Sequence, residues 1–481
     1  MYDDTMITGL GMDSRTIEAG ALFFAIQGIH DHGLQFSRQA ASRGAAAIAW
    51  EPGSRESKND LPENLPCIQV PDLQQQVGPI ATRFYRNPSA HINVTGVTGT
   101  DGKTSVSQYM AQACEQLGIA CGVIGTLGYG IHPDLQTESH TTPDAIRLQA
   151  MLHGFLVKEI PQVIIEASSH GLKQGRLNGV AVDTAIFTNL GNDHMDYHAT
   201  REDYENSKRI LFQTEGLKHA VINVDDAFGC QLAEEARSNT KVVSYSRTRS
   251  LADEEFHVCA KKVTVAQQKT VIDIDSSWGP GVVETGLCGA FNISNLLAVA
   301  GALLVNGHAL DEVTAAISCV QTASGRMEVV EGAQNAPTVV VDYAHTPQAL
   351  ISALQALRET CTGSLWCVFG CGGDRDSGKR KLMARAVESI ADHAVVTDDN
   401  PRFEDPQAIA QEVISGFSAD ACYCVIHDRK QAIAHAILKA RPDDTVLIAG
   451  KGHETSQIIN GKHVPFDDRE AVVNCLREYP A

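Results

Sequence analysis

From residue 92 onward the chain alternates short, almost wholly apolar runs with longer stretches whose apolar positions recur every three or four residues. The runs 92–97, 163–167, 184–190 and 220–224 read as strands buried on both faces, and the stretches between them as crossover helices of a largely parallel sheet. The same rhythm resumes at 338–342, 365–370, 394–397 and 445–449, predicting a second nucleotide-fold-like sheet. Ahead of both, 21–26 and 45–50 are strand-like and flank a helical stretch among polar turns. The pattern therefore predicts an α/β chain of three domains: a small N-terminal α/β unit at 1–88, a central parallel-sheet unit at 89–324, and a C-terminal Rossmann-like unit at 325–481.

Composition agrees and narrows the setting. A chain of 481 residues exceeds what one hydrophobic core serves, and 43% hydrophobic with 20% charged residues is ordinary for a globular protein. The net charge of −19 argues against a nucleic-acid surface. Thirteen cysteines, an odd number without a Cys-x-x-Cys pair, sit in apolar runs such as Leu365-Trp366-Cys367-Val368-Phe369, as reduced core thiols do. The start Met1-Tyr2-Asp3-Asp4 lacks a basic, then apolar leader, and no apolar run reaches the roughly 18 residues of a membrane span, so a cytoplasmic protein is expected.

The chemistry gathers where strands end. Val94-Thr95-Gly96-Val97-Thr98-Gly99-Thr100-Asp101-Gly102-Lys103-Thr104 is a strand running into a glycine loop, whose N–H groups suit phosphate oxygens. Lys103 adds a point charge and the Thr104 hydroxyl suits Mg²⁺. The common spacing is Gly, four residues, then Gly-Lys; Val97 stands where that pattern needs Gly, leaving the shorter Gly99-x-x-Gly102-Lys103-Thr104. Glu166 ends another strand, where it either holds Mg²⁺ or caps a helix. His194 and His198 stand four apart, but no Glu follows the first and no third ligand is near, which disfavours zinc. Lys208 lies on a helix of mixed polarity, where a solvated lysine is the default. Arg375, in Gly372-Gly373-Asp374-Arg375, and Arg402, in Asp399-Asn400-Pro401-Arg402, follow consecutive strands. Two such arginines suggest a substrate with an anionic group, against the alternative of ion pairs with Asp374 or Asp399. Gly450-Lys451-Gly452-His453-Glu454 ends a further strand in the same way.

Together these motifs resemble the ATP-dependent Mur ligases over the whole chain. The shortened loop is shared by that superfamily, folylpolyglutamate synthases included. Ser168-Ser169-His170-Gly171-Leu172, Asp193-His194-Met195-Asp196-Tyr197-His198, Asp342-Tyr343-Ala344-His345-Thr346-Pro347 and Gly450-Lys451-Gly452-His453-Glu454 look like its E-type branch, which adds meso-diaminopimelate to UDP-N-acetylmuramoyl-L-Ala-D-Glu. The resemblance implies a UDP-binding domain, an ATPase domain and a mobile C-terminal domain that brings the amino acid, with ATP and Mg²⁺ required and an acyl phosphate as intermediate. By resemblance Gly99, Thr100, Asp101, Gly102, Lys103, Thr104, Asn292, Arg326 and Asp342 serve ATP, Asn292 as the adenine contact unless it is only a helix cap. Lys103, Glu166, His194 and Lys208 are catalytic; Thr104 and Glu166 hold one metal ion, and Glu166, His194 and a carbamylated Lys208 serve a second. The UDP-sugar peptide falls to Ser14, Ile29, His30, Asp31, Thr141, Thr142, Ser168, Gln174 and Arg176, and the amino acid to Arg375, Asp399, Asn400, Arg402, Gly450 and Glu454. Arg402 has a charge-assisted partner in the far carboxylate of diaminopimelate and none in lysine, so diaminopimelate is expected. A monomer without nucleic-acid or membrane partners completes the expectation.

Three features depart from the family pattern. Asp101 replaces the usual Asn, His140 stands where Asn commonly precedes Thr141-Thr142, and the chain begins close to Asp13-Ser14-Arg15, as if a short leading segment were missing. They leave room for a specialised paralog with another amino acid or acceptor, or for a non-catalytic ATP-binding paralog. Against the latter, Lys103, Thr104, Glu166, His194 and Lys208 are all present.

Overall fold

The computed structural model describes residues 5–28, 31–52, 61–191, 193, 197–266, 269–332 and 335–479. The apolar runs form strands of three separate sheets. In the central sheet of eleven, the spatial order is Gly281–Thr285, Lys269–Ser276, His257–Ala266, Lys241–Ser246, His219–Asn223, Thr184–Phe187, Asn93–Thr98, Gln162–Glu166, Cys121–Gly125, Gly128–Ile131 and Asp134–Gln136. Pairing is parallel from His257–Ala266 through Cys121–Gly125. Both ends turn antiparallel, which the expectation of a largely parallel sheet did not include. Lys269–Ser276 alternates buried and open positions, the signature of a strand with one wet face rather than of a sheet covered on both sides.

Helices cover both faces of the parallel part. Ala290–Val305 is apolar nearly all round because it lies between the sheet and Lys103–Gln116, the helix that the glycine loop opens. Ala145–Val157 and Ala227–Ala236 contribute to the core on the opposite face. The N-terminal sheet is parallel throughout, in the order Gly9–Gly11, Ala21–Ala25, Ala47–Trp50, Cys67–Gln69. Its outer helix Leu73–Phe84 packs on Ala145–Val157, so Phe24, Leu73, Val77, Ala145 and Ile146 share one apolar cluster across the two units.

The C-terminal sheet runs Glu328–Val330, Thr338–Asp342, Thr445–Ala449, Leu365–Phe369, His393–Val396, Tyr423–Val425, with only the first strand antiparallel. Inserting the late strand Thr445–Ala449 between Thr338–Asp342 and Leu365–Phe369 makes a topological switch point, and at the C-terminal ends of these strands open sheets bind ligands. A hairpin, Ser456–Ile459 with Lys462–Pro465, follows. All thirteen cysteines are free thiols, and no helix among the described residues is long and apolar enough to cross a membrane.

Candidate active site

The strand Asn93–Thr98 delivers the chain into a loop that Gly102, at φ +85°, turns into the helix Lys103–Gln116. Side chains of the neighbouring strand end fix this loop by its backbone: Asn189 Oδ1 accepts from the Asp101 N–H at 2.9 Å, and Thr188 Oγ1 donates to the Asp101 carbonyl at 2.6 Å. The Lys103 ammonium folds back onto the Gly99 and Thr100 carbonyls, 2.8 Å from each. Burial pulls its pKa down, while the charges of Glu166, Asp101 and Asp193 oppose that pull. Burial also pushes the Asp101 carboxyl up, against Lys103.

Glu166 is wholly buried at the end of its strand. Its Oε2 accepts from the hydroxyls of Thr104 and Thr126, both at 2.9 Å, and its Oε1 from the Thr126 N–H at 3.0 Å. The adjacent strand makes room with Gly125, where a Cβ would lie 2.3 Å from Glu166 Oε1. Lys208 corrects the default of a solvated lysine: it is 1% exposed, with its Nζ 4.3 Å from the centre of the Tyr204 ring. Burial, reinforced by the positive charge of Lys103, holds its pKa well below the usual lysine range.

Glu166 stands behind Thr104 and Thr126 in the wall of a cavity of about 170 Å³ whose lining runs from Gly99 to Ser105 and takes in Thr126, Thr141, Ser168, Asp193, Tyr204 and Lys208. The C-terminal unit closes it with Arg326, Tyr343 and His345. Arg326 reaches Thr104 Oγ1 at 3.3 Å and lies over the Tyr343 ring. His345 Nε2 and Lys379 Nζ each stand 4.0 Å from a carboxylate oxygen of Asp193, so a histidine and a lysine of the C-terminal unit face one carboxylate of the central unit. Asp342 serves this wall indirectly, accepting from the N–H groups of Met327 and Ala344, both at 2.8 Å. Asn292 is buried away from the cavity, with its amide engaged by Tyr109 Oη at 2.9 Å and the Cys288 carbonyl at 2.8 Å. His194 lies outside the described residues.

Beside the cavity, Thr142, Ser168, Gln174 and Arg176 form one network. Thr142 Oγ1 donates to the Glu166 carbonyl at 2.6 Å and meets Ser168 Oγ at 3.0 Å, while Arg176 donates to the Thr142 carbonyl at 2.5 Å and to Gln174 Oε1. A wider cleft of about 1020 Å³ opens beside that packed contact, between the N-terminal unit and one side of Ala145–Val157, lined by Ser14, Arg15, Gln39, Tyr85, Asp144 and Arg147 among others. Ser14 is placed there; Asp31 is exposed and does not line it, and Ile29 and His30 lie outside the described residues.

The C-terminal strand ends bring a second group together. Arg402, at φ +54°, donates through Nη1 to the Gly373 carbonyl at 2.7 Å, so its partner is backbone rather than the Asp374 or Asp399 that an ion pair required. Asn400 Nδ2 donates to Glu454 Oε2 at 2.9 Å, and Asp399 is buried beside Gly450. Arg375 is exposed on the adjacent loop.

Comparison with known proteins places this arrangement. Family profiles match at residues 6–85 (Mur ligase family, catalytic domain), 97–303 (Mur ligase middle domain) and 325–452 (Mur ligase, glutamate ligase domain). A UDP-N-acetylmuramoyl-L-alanyl-D-glutamate-2,6-diaminopimelate ligase of Alkalilimnicola ehrlichii is 44% identical across 99% of this chain and 96% of its own. The chain belongs to the Mur ligase family. A Coxiella burnetii ligase of the same name is 42% identical over 98% of this chain and 96% of its own, and a solved structure so named superposes with a TM-score of 0.69 at 36% identity, covering 98% and 95% of the two chains.

Several residues of this Mur ligase site went unassigned in the sequence. Thr126 follows a strand as an unremarked Gly-Thr step, yet it is the second hydroxyl on Glu166. Arg380 is buried on the helix Lys379–Glu388 and donates to Glu404, whose Oε1 also takes the Asp374 N–H, so it ties the Arg375 loop to the Arg402 loop. Its only signal was a basic cluster, Lys379-Arg380-Lys381, opening a helix. Lys451 lies inside a motif of which only Gly450 and Glu454 were assigned.

Proposed function

We propose that this Mur ligase joins an amino group of meso-2,6-diaminopimelate to a glutamate carboxylate of UDP-N-acetylmuramoyl-L-alanyl-D-glutamate, with ATP cleaved to ADP and phosphate. The observation that carries the reading is a cavity where the glycine loop, Thr104 with Glu166 bonded behind it, Lys208 and the C-terminal Arg326 and His345 meet.

Forming an amide from a carboxylate and an amine in water is uphill. The carboxylate oxygen therefore first attacks the γ-phosphorus of ATP, releasing ADP; the amine then attacks the acyl carbon, releasing phosphate and giving its surplus proton to solvent. Such chemistry needs orientation and charge neutralisation rather than a side-chain nucleophile. Lys103 turns from the loop carbonyls to phosphate oxygens, and Arg326 adds a second positive charge from the opposite wall. Arg176, Gln174, Thr142 and Ser168 orient the peptide end of the UDP substrate, with the nucleotide sugar in the cleft behind Ser14. Arg375, Asp399, Asn400, Arg402, Gly450 and Glu454 receive the amino acid.

The donor set fits Mg²⁺. Glu166 offers a buried carboxylate with the Thr104 and Thr126 hydroxyls against it, all hard oxygens. Bound there, Mg²⁺ would neutralise charge on the phosphates. Lys208 fits a carbamate: burial, with the positive charge of Lys103 beside it, lowers its pKa and so favours the neutral amine, the form that adds to CO₂ with loss of one proton. The test is phosphate release from ATP with the UDP dipeptide and diaminopimelate both present, and detection of the tripeptide by mass. ATP bound without product would support the non-catalytic alternative.

A further inference from the structure

We infer that Lys451 is a positioning residue for the incoming amino acid, orienting Glu454 and Asn400 and offsetting Asp399 so that the pocket offers free carboxylate oxygens to one ammonium group. This rests on the assignment of that pocket to the amino acid. Lys451 follows Gly450 at the end of the strand Thr445–Ala449 and is 0% exposed. A lysine so buried keeps its charge only where acceptors replace water. Its Nζ lies 2.7 Å from Glu454 Oε2, 3.2 Å from Asn400 Oδ1 and 3.9 Å from Asp399 Oδ1.

The contacts decide which atoms remain open. Glu454 Oε2 already takes Lys451 and the Asn400 amide, while Oε1 has no hydrogen bond among the described residues and the side chain is 31% exposed. Asn400 Oδ1 takes Lys451 and the Ile458 N–H, so its amide cannot flip. Asp399 Oδ1 is buried without a hydrogen-bond partner, although Gln457 holds the Asp399 carbonyl at 2.8 Å. Arg429, behind Gly450, is engaged in a bidentate pair with Asp468. Two carboxylates and one ammonium leave a single negative charge, the complement of one substrate ammonium; without Lys451 two like charges would face each other and Glu454 would lose its anchor.

Lys451→Met keeps the stem and removes the charge, and Lys451→Arg keeps a charge of different shape. With each of the three substrates varied in turn, Lys451→Met should raise KM for diaminopimelate roughly 10- to 100-fold, the loss expected for a hydrogen bond to a charged group. KM for ATP and for the UDP dipeptide should stay within about twofold, and kcat at saturating diaminopimelate should largely persist. Lys451→Arg should fall between, severalfold raised for diaminopimelate alone, and it decides the point by itself if the Met variant does not fold. Equal changes in all three KM values, or an unchanged KM for diaminopimelate, would overturn the inference. If wild type turns over lysine instead, the substrate assignment fails, and the same three-way comparison run with lysine still tests Lys451.

Discussion

The proposed phosphate cavity and the proposed amino-acid pocket are built on opposite plans. Around Gly99–Thr104 the loop is held by its backbone, with Asn189 and Thr188 on the Asp101 peptide groups and Lys103 resting on carbonyls. Around Arg402 the geometry is set by interlocked charges: Lys451 with Glu454 and Asp399, Arg380 with Glu404, and Arg402 itself leaning on Gly373. A site made of peptide groups tolerates changes of side chain and serves any chain that cleaves ATP. A site made of side chains is specific, because each charge left without its partner is costly.

Three substitutions sharpen that contrast. The largest effect belongs to Lys103→Met, which removes the one charge the backbone-built site cannot supply: kcat for phosphate release should fall on the order of 10³-fold. The rise in melting temperature caused by diaminopimelate should be kept, and a loss of both would mean that the two sites are not separable. Next, Arg402→Ala should raise KM for diaminopimelate about 10- to 100-fold and collapse the preference over lysine, with KM for ATP unmoved. A retained preference would move the discrimination to another residue, with Arg375 the first to examine. The smallest effect is Asp101→Asn. Burial already pushes this carboxyl towards its neutral form, and the hydrogen bonds that hold the loop use its backbone. KM for ATP should fall by less than about threefold, since little charge is then removed; a larger change would show that the charge is felt by the phosphates.

The same contrast explains what was legible in the sequence. Buried parallel strands announce themselves as apolar runs, so Thr338–Asp342 and Thr445–Ala449 stand where the pattern put them. The antiparallel strands Lys269–Ser276 and Gly281–Thr285 carry the alternation of half-buried strands and so lack a continuous apolar run to mark them. The glycine loop was legible as a motif because backbone geometry forces glycine at Gly102. Lys208 misled: its helix is polar on average, and only the fold shows that this position turns inward against Tyr204. Arg380 and Lys451 gave little signal for a related reason, since Arg380 holds Glu404 and Lys451 holds Asn400 far along the chain, although Lys451 also holds the nearby Glu454.

The central claim is that the pocket around Arg402 selects an amino acid by its far carboxylate. The most direct test is a competition: wild-type protein with ATP, Mg²⁺, the UDP-muramoyl dipeptide and equimolar meso-diaminopimelate and lysine, with products separated by mass. The account predicts that the diaminopimelate tripeptide exceeds the lysine product by about 100-fold, the discrimination expected when the half-buried Arg402 loses a charge-assisted partner. Equal amounts, or an excess of the lysine product, would contradict it.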